Sequence, residues 1–254
     1  MRKLKLYFLF FVLLFFRGLT AQVQVWDSLA LDTMKAVTSL QAAMKQPDKV
    51  IKLVLRKQRF KKIPKEIFSF DNLKYLDLGK NAIDSIPTAI GDLQQLQVLI
   101  LEKNDIICVA PEIGRLKNLR LLNLNQNNLG KNHSGALPAT VGDLDSLEVL
   151  LLSRNRMEIL PKEICRLKKL RVLNANQNEL TILPNEIGEL ENLEYLDLWS
   201  NNIGYFPEQL GNLEKLKLMD LRVIMIDDDT QQHLQGLLPA TKIQFSPGCH
   251  CKTQ

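Results

Sequence analysis

Cysteine, histidine and aromatic side chains are scarce in this 254-residue chain, which has 4 Cys, 3 His and 2 Trp, with Phe, Trp and Tyr together at 6%. Four cysteines cannot staple a chain of this length, so its fold has to rest on apolar burial. With only His133, His233 and His250 available, histidine-based catalysis or metal binding has few places to sit. Gly-x-Ser-x-Gly, His-Glu-x-x-His and a phosphate-cradling glycine loop are all missing, which removes the commonest hydrolase, zinc-protease and nucleotide-binding readings. The run from Leu6 to Phe16 is eleven residues long, well short of the ~20 that a membrane-spanning helix needs. A large excess of one charge is missing too. The formal charge of +5 falls to +1 once the four basic residues of 1–21 are set aside, so nothing favours nucleic acid.

Residues 1–21 read as a secretory signal peptide, with Arg2, Lys3 and Lys5 ahead of the apolar run and Gly18-Leu19-Thr20-Ala21 before Gln22. The chain is therefore expected outside the cytoplasm, secreted or periplasmic, touching membrane only through that peptide. If 1–21 is not a working signal, the alternative location is the cytoplasm.

What the sequence has in abundance is a repeated unit. Asn81, Asn104, Asn127, Asn155, Asn178 and Asn201 recur at intervals of 23, 23, 28, 23 and 23 residues. Each ends a Leu-x-x-Leu-x-Leu-x-x-Asn segment and is followed by a proline and an Ile-Gly or a variant of it. Leu73-Lys74-Tyr75-Leu76-Asp77-Leu78-Gly79-Lys80-Asn81 leads to Ile86-Pro87 and Ile90-Gly91. A period in this range specifies a solenoid whose units bury a continuous core by stacking. The pattern resembles the leucine-rich repeat family in its 23-residue Leu-Pro-x-x-Ile-Gly form, known from bacterial proteins and from plant intracellular Ras-group-related repeat proteins. The resemblance covers about residues 49–226, some eight units with a degenerate last one. It implies an α/β solenoid, a horseshoe with a parallel sheet on the concave face.

Within a unit, Leu-x-Leu is expected as a short strand with the leucines inward. The recurrent Asn is expected to satisfy backbone groups at the turn, and Pro64, Pro87, Pro111, Pro138, Pro161, Pro184 and Pro207 to fix the convex side. Residues 22–48 form the expected N-terminal helical cap, with one amphipathic helix from Asp27 to Lys45 carrying Leu31, Met34, Val37, Leu40 and Met44. Residues 227–254 form the C-terminal cap and tail: acids at 227–229, a helix over Thr230–Leu238 and a strand over Lys242–Phe245. Cys108 and Cys165 lie in non-adjacent units and are not expected to pair. Cys249-His250-Cys251 supplies too few ligands for structural zinc, so no metal and no cofactor is expected. Five extra residues fall within 130–136, where Asn132-His133-Ser134 matches a glycosylation acceptor.

These readings converge on a non-catalytic module that binds a protein or peptide. An intracellular signalling scaffold and a glycan or cell-envelope adhesion protein are the alternatives. The resemblance places ligands on the concave face, where register selects Lys57, Tyr75, Asp77, Lys80, Glu102, Lys103, Asn123, Asn125, Arg154, Asn174, Asn176, Tyr195, Asp197, Trp199 and Arg222. Among these, Lys57, Lys80 and Lys103 form a basic row, Trp199 is an aromatic anchor, and the amides offer hydrogen bonds. Asp197 and Asp220 are expected side by side across strands.

Overall fold

The computed structural model describes residue 31, residues 33–130 and residues 137–246. The expected signal peptide, the Asn132 acceptor within the insertion and the Cys249-His250-Cys251 tail lie outside the described residues. The chain has two compact units, Met1–Met34 and Lys35–Gln254, and the second is a solenoid.

Its strands are short because each unit supplies only one Leu-x-Leu step. They are β1 (Lys52–Val54), β2 (Tyr75–Asp77), β3 (Ser85–Ile86), β4 (Val98–Ile100), β5 (Cys108–Val109), β6 (Leu121–Asn123), β7 (Val149–Leu151), β8 (Val172–Asn174), β9 (Tyr195–Asp197), β10 (Leu218–Asp220) and β11 (Lys242–Gln244). Nine of them form a parallel sheet in the order β1-β2-β4-β6-β7-β8-β9-β10-β11, while β3 and β5 pair separately. Register is strict: Leu53, Leu76, Leu99, Leu122, Leu150, Leu173, Leu196 and Met219 stand in one column. That column is 0–1% exposed and forms the spine of the core. The five-residue insertion leaves register untouched, since Leu122 still pairs with Leu150.

On the opposite side each Pro-x-x-Ile-Gly segment winds into a five-residue 3-10 turn, such as Thr88–Asp92, Lys162–Arg166 and Asn185–Glu189. Proline precedes each turn except at Pro111, which occupies the first position of its own, where its missing N–H leaves nothing unmet. The glycine is there for proximity: a Cβ on Gly188 would lie 2.2 Å from the carbonyl oxygen of Gln209 in the next unit. Strands stack about 4.8 Å apart, closer than helical turns with side chains can approach, so the sheet side is the concave one.

The asparagine column joins each unit to the one before it. Asn104 Nδ2 donates to the carbonyls of Leu78 (3.1 Å) and Leu101 (2.9 Å), and its Oδ1 accepts from the amide of Ile83 at 3.0 Å. Asn178 makes the same set with Leu152, Ala175 and Met157, and adds the amide of Asn155 at 2.9 Å. Asn155 is the exception. Its Nδ2 donates normally, but among the described residues its buried Oδ1 has no partner, at the unit that follows the insertion.

The N-terminal cap departs from the expected single helix over Asp27–Lys45. Val37 is extended and bridges to Leu53, its amide donating to Lys52 and its carbonyl accepting from Val54, both at 2.9 Å. Residues 27–30 and 32 of the expected helix lie outside the described residues, and its later part is helical only over α1 (Leu40–Ala43), whose N-cap Ser39 accepts from the amide of Ala42. The open edge of β1 needs backbone partners, and β-branched Val37 and Thr38 suit an extended path. At the other end α2 spans Asp228–Leu237, with Asp227 accepting from the amide of Thr230 at 2.7 Å. β11 then pairs with β10 one residue shorter than expected.

Candidate functional site

The concave face is a grid of columns, one residue per unit. Nearest the strand starts is an apolar column missed by sequence reasoning, in which Val98, Leu121, Val149, Val172 and Leu218 stand between and beside Tyr75 and Tyr195. All seven are 8% exposed or less, because like side chains stand about 4.8 Å away on either side. The signal was the residue just before each inward leucine. Tyr75 is further covered by Lys52, whose Nζ sits 4.6 Å from the ring centre.

The next column holds Asp77, Asn123, Asn174, Asp197 and Asp220, and its regularity has a local cause. In each case the side-chain Oδ1 accepts from the backbone amide two residues on: Gly79 at 2.8 Å, Asn125 at 3.0 Å, Asn176 at 3.1 Å, Trp199 at 3.2 Å and Arg222 at 3.1 Å. These Asx turns end the strands. The sequence reading placed the residues on an open face; in the structure all five are buried and serve the scaffold.

The column after that is woven across units. Arg56 lies between Asp77 Oδ2, at 2.8 Å, and Glu102 Oε1. Glu102 Oε2 accepts from Asn123 at 3.3 Å, Ser153 Oγ donates to Asn176 Oδ1, and Asn176 Nδ2 donates to Asp197 Oδ2 at 2.6 Å. The Asn125 Oδ1 accepts from the amide of Ser153 at 2.7 Å, so Glu102, Asn125 and Asn176 are buried partners rather than exposed hydrogen-bonding groups. Asp197 and Asp220 are register partners, as expected. Burial pushes the Asp197 carboxyl up to about 6; Asn176 opposes the shift and the Asp220 charge adds to it. Burial also raises Asp77, against the pull of Arg56.

Exposure is concentrated at the trailing edge of the sheet. Lys57, Lys80, Lys103, Gln126, Arg154, Gln177, Ser200 and Val223 all hold left-handed backbone, with φ between 50° and 61°. None of these is glycine or asparagine, the types that adopt this conformation most readily. Lys57, Lys80, Lys103 and Arg154 are exposed, as is Arg222, while Trp199 is half-buried. Among the described residues Lys57, Lys80 and Lys103 have no carboxylate partner, and Arg154 donates its Nε to Gln177. Arg222 instead folds back onto Asp220, at 2.6 Å.

The leading edge behaves in the opposite way. Arg120, Glu148, Arg171, Glu194 and Lys217 alternate in sign along consecutive units. Arg120 Nε meets Glu148 at 2.8 Å and Arg171 Nε meets Glu194 at 2.6 Å, while Lys217 takes the other oxygen of Glu194. Burial alone would raise the Glu194 carboxyl, but its bonds to Arg171 and Lys217 hold it below its ordinary value.

Elsewhere Cys108 is exposed, Cys165 is buried, and both are free thiols; burial pushes Cys165 up to about 12. Among the described residues no group of three or more His, Cys, Asp or Glu side chains is placed to hold a metal ion, and no helix is long and apolar enough to cross a membrane.

Residues 108–244 match the family described as "Leucine-rich repeat region", and residues 49–106 match "Leucine rich repeat". The chain belongs to the leucine-rich repeat family. This repeat protein is similar in fold to internalin C2 from Listeria monocytogenes, with a TM-score of 0.65 at 21% identity over 79% of this chain and 82% of that one. It is also similar to the structure of PEPR1–AtPEP1, with a TM-score of 0.60 at 26% identity over 75% of this chain. A third similar structure is the plant peptide hormone receptor RGFR1 in complex with RGF2, with a TM-score of 0.54 at 26% identity over 78% of this chain. The repeat protein spans only 28% of the PEPR1 chain and 36% of the RGFR1 chain. No curated protein sequence matches it significantly.

Proposed function

We propose that this repeat protein is a non-catalytic binding module that meets a protein or peptide partner along the trailing edge of its concave sheet, outside the cytoplasm. The observation that carries the reading is the concentration of exposed charge at that edge. The face itself is filled by a buried apolar column and by polar side chains already bonded to the backbone or to one another, while Lys57, Lys80, Lys103 and Arg154 project from it, with half-buried Trp199 further along. The likeness to a plant receptor holding a peptide hormone supports the same class of partner. The carboxylates of the face are tied up in turns and cross-unit bonds, which suits recognition better than acid–base chemistry.

Crosslinking capture from the native extracellular or envelope fraction tests this, comparing the wild-type chain with a Lys80→Ala/Lys103→Ala/Trp199→Ala variant. The expected result is a partner held by wild type and lost by the folded variant. Equal capture by both removes the trailing edge from the interface. The location is tested separately by N-terminal sequencing of the native protein: a start near Gln22 supports export and a start at Met1 opposes it.

A further inference from the structure

We infer that Lys57, Lys80 and Lys103 form a docking strip for an extended acidic segment of a partner polypeptide. The inference rests on the binding-module reading and names the chemistry of what is bound.

Side chains in one column stand about 4.8 Å from their neighbours, so a column of like charges repels itself unless something of opposite sign lies against it. At the leading edge the chain supplies the opposite sign internally, as the Arg120–Glu148 and Arg171–Glu194 pairs show. At the trailing edge it does not. Three consecutive units carry lysine and none of the three meets a carboxylate among the described residues. Asp77 and Glu102, in the two columns beside the strip, are buried and already bridged by Arg56, and exposed Asp105, two positions beyond Lys103, forms no ion pair among the described residues. The charge left over at these units is positive, and it is held in place by a backbone fixed in the left-handed region at 59°, 59° and 56°.

Geometry then selects the form of the ligand. Three adjacent units place the outer lysines about 10 Å apart, a span that three or four residues of extended chain cover at about 3.3 Å each. Alternate side chains of such a chain point to one face, so carboxylates at i and i+2 suit the strip. Arg154 continues the row two units further on, beyond neutral Gln126. Sugar rings are the poorer fit here, because stacking needs an exposed aromatic face and Tyr75 is buried under Lys52.

The test is a random dodecapeptide display library panned on the full chain. Its key variant is Lys57→Gln/Lys80→Gln/Lys103→Gln, chosen because Gln126 and Gln177 hold the same left-handed position in this chain. A Lys117→Gln/Lys168→Gln/Lys169→Gln variant loses equal charge away from the strip. The expected result is enrichment of peptides with Asp or Glu at alternate positions. A synthetic copy of one should bind the first variant at least about tenfold more weakly and the second unchanged, with binding that weakens as salt rises. Enriched peptides without acidic bias, or acidic ones indifferent to the first variant, overturn the strip while leaving the binding-module reading standing. Binding of polygalacturonate through the three lysines, with no peptide enriched, overturns it in favour of an acidic glycan. If nothing is enriched or bound, the strip is overturned and the crosslinking capture decides the module reading on its own.

Discussion

The two edges of one sheet solve the same stacking problem in opposite ways. At the leading edge, Arg120, Glu148, Arg171, Glu194 and Lys217 alternate in sign and bond to their neighbours. At the trailing edge, Lys57, Lys80, Lys103 and Arg154 share one sign and project into solvent. Backbone spacing is the same for both, so geometry does not explain the difference; the choice of side chain does. A column that neutralises itself strengthens the stack and leaves little charge for a partner. A column of one sign adds nothing to the stack and keeps its charge for whatever docks there. Position in a repeat therefore says where a side chain stands, and the pairing of its column says what it is for.

The most damaging way to test this division is to cut the asparagine rung beneath the trailing edge. Asn178→Ala removes donors to Leu152 and Ala175 and the acceptor for Asn155 and Met157, so about 3 kcal/mol of unfolding free energy should be lost. Asn155→Ala should cost about 1 kcal/mol less, because its Oδ1 has no partner among the described residues to lose. Urea denaturation of both variants checks the ranking, and equal losses would break it.

The acidic pair between the edges gives the next largest effect. The folded pKa of Asp197, about 6, lies above an unfolded value of about 3.9. The native state therefore holds an extra proton between those values, and the stability contributed by this group falls as pH rises from about 4 to 6. Asp197→Asn, which keeps an acceptor for the Trp199 amide, should gain on wild type by about 2 kcal/mol between pH 4.5 and 7.5. Melting curves across that range check the sign.

Charge reversal compares the edges directly. Glu194→Lys would place three cations in a row at the leading edge and should cost about 1–2 kcal/mol. Lys80→Glu at the trailing edge should change stability by less than about 0.5 kcal/mol, since no ion pair among the described residues is lost. A thermal shift series that found the two reversals equally costly would end the contrast.

Much of this molecule was legible in the spacing of its residues. The 23-residue period, the inward leucines, the asparagine rungs and even the Asp197–Asp220 pairing follow from register, because a solenoid turns sequence distance into column position. The C-terminal helix and strand were readable from Asp227 and the residues behind it. The N-terminal cap was less so. Leu31, Met34, Val37, Leu40 and Met44 have helical spacing, but the unpaired edge of β1 recruits Val37 as an extended partner. Ser39 was the local signal, standing as an N-cap inside the expected helix.

The candidate site was half legible. Register placed Asp77, Glu102, Asn123, Asn125, Asn174 and Asn176 on the concave face, yet the structure buries them and uses their polar atoms internally. Sequence alone determined the repeat, its register and the sign of every column, since these depend on which residue stands at which interval. Only the tertiary structure decided which polar groups are consumed and that, among the described residues, Asn155 keeps an unpartnered oxygen and Lys57, Lys80 and Lys103 sit on left-handed backbone without carboxylate partners. The reason is that a hydrogen bond or an ion pair depends on distances of about 3 Å between groups 21 to 31 residues apart, and those distances exist only once the units have stacked.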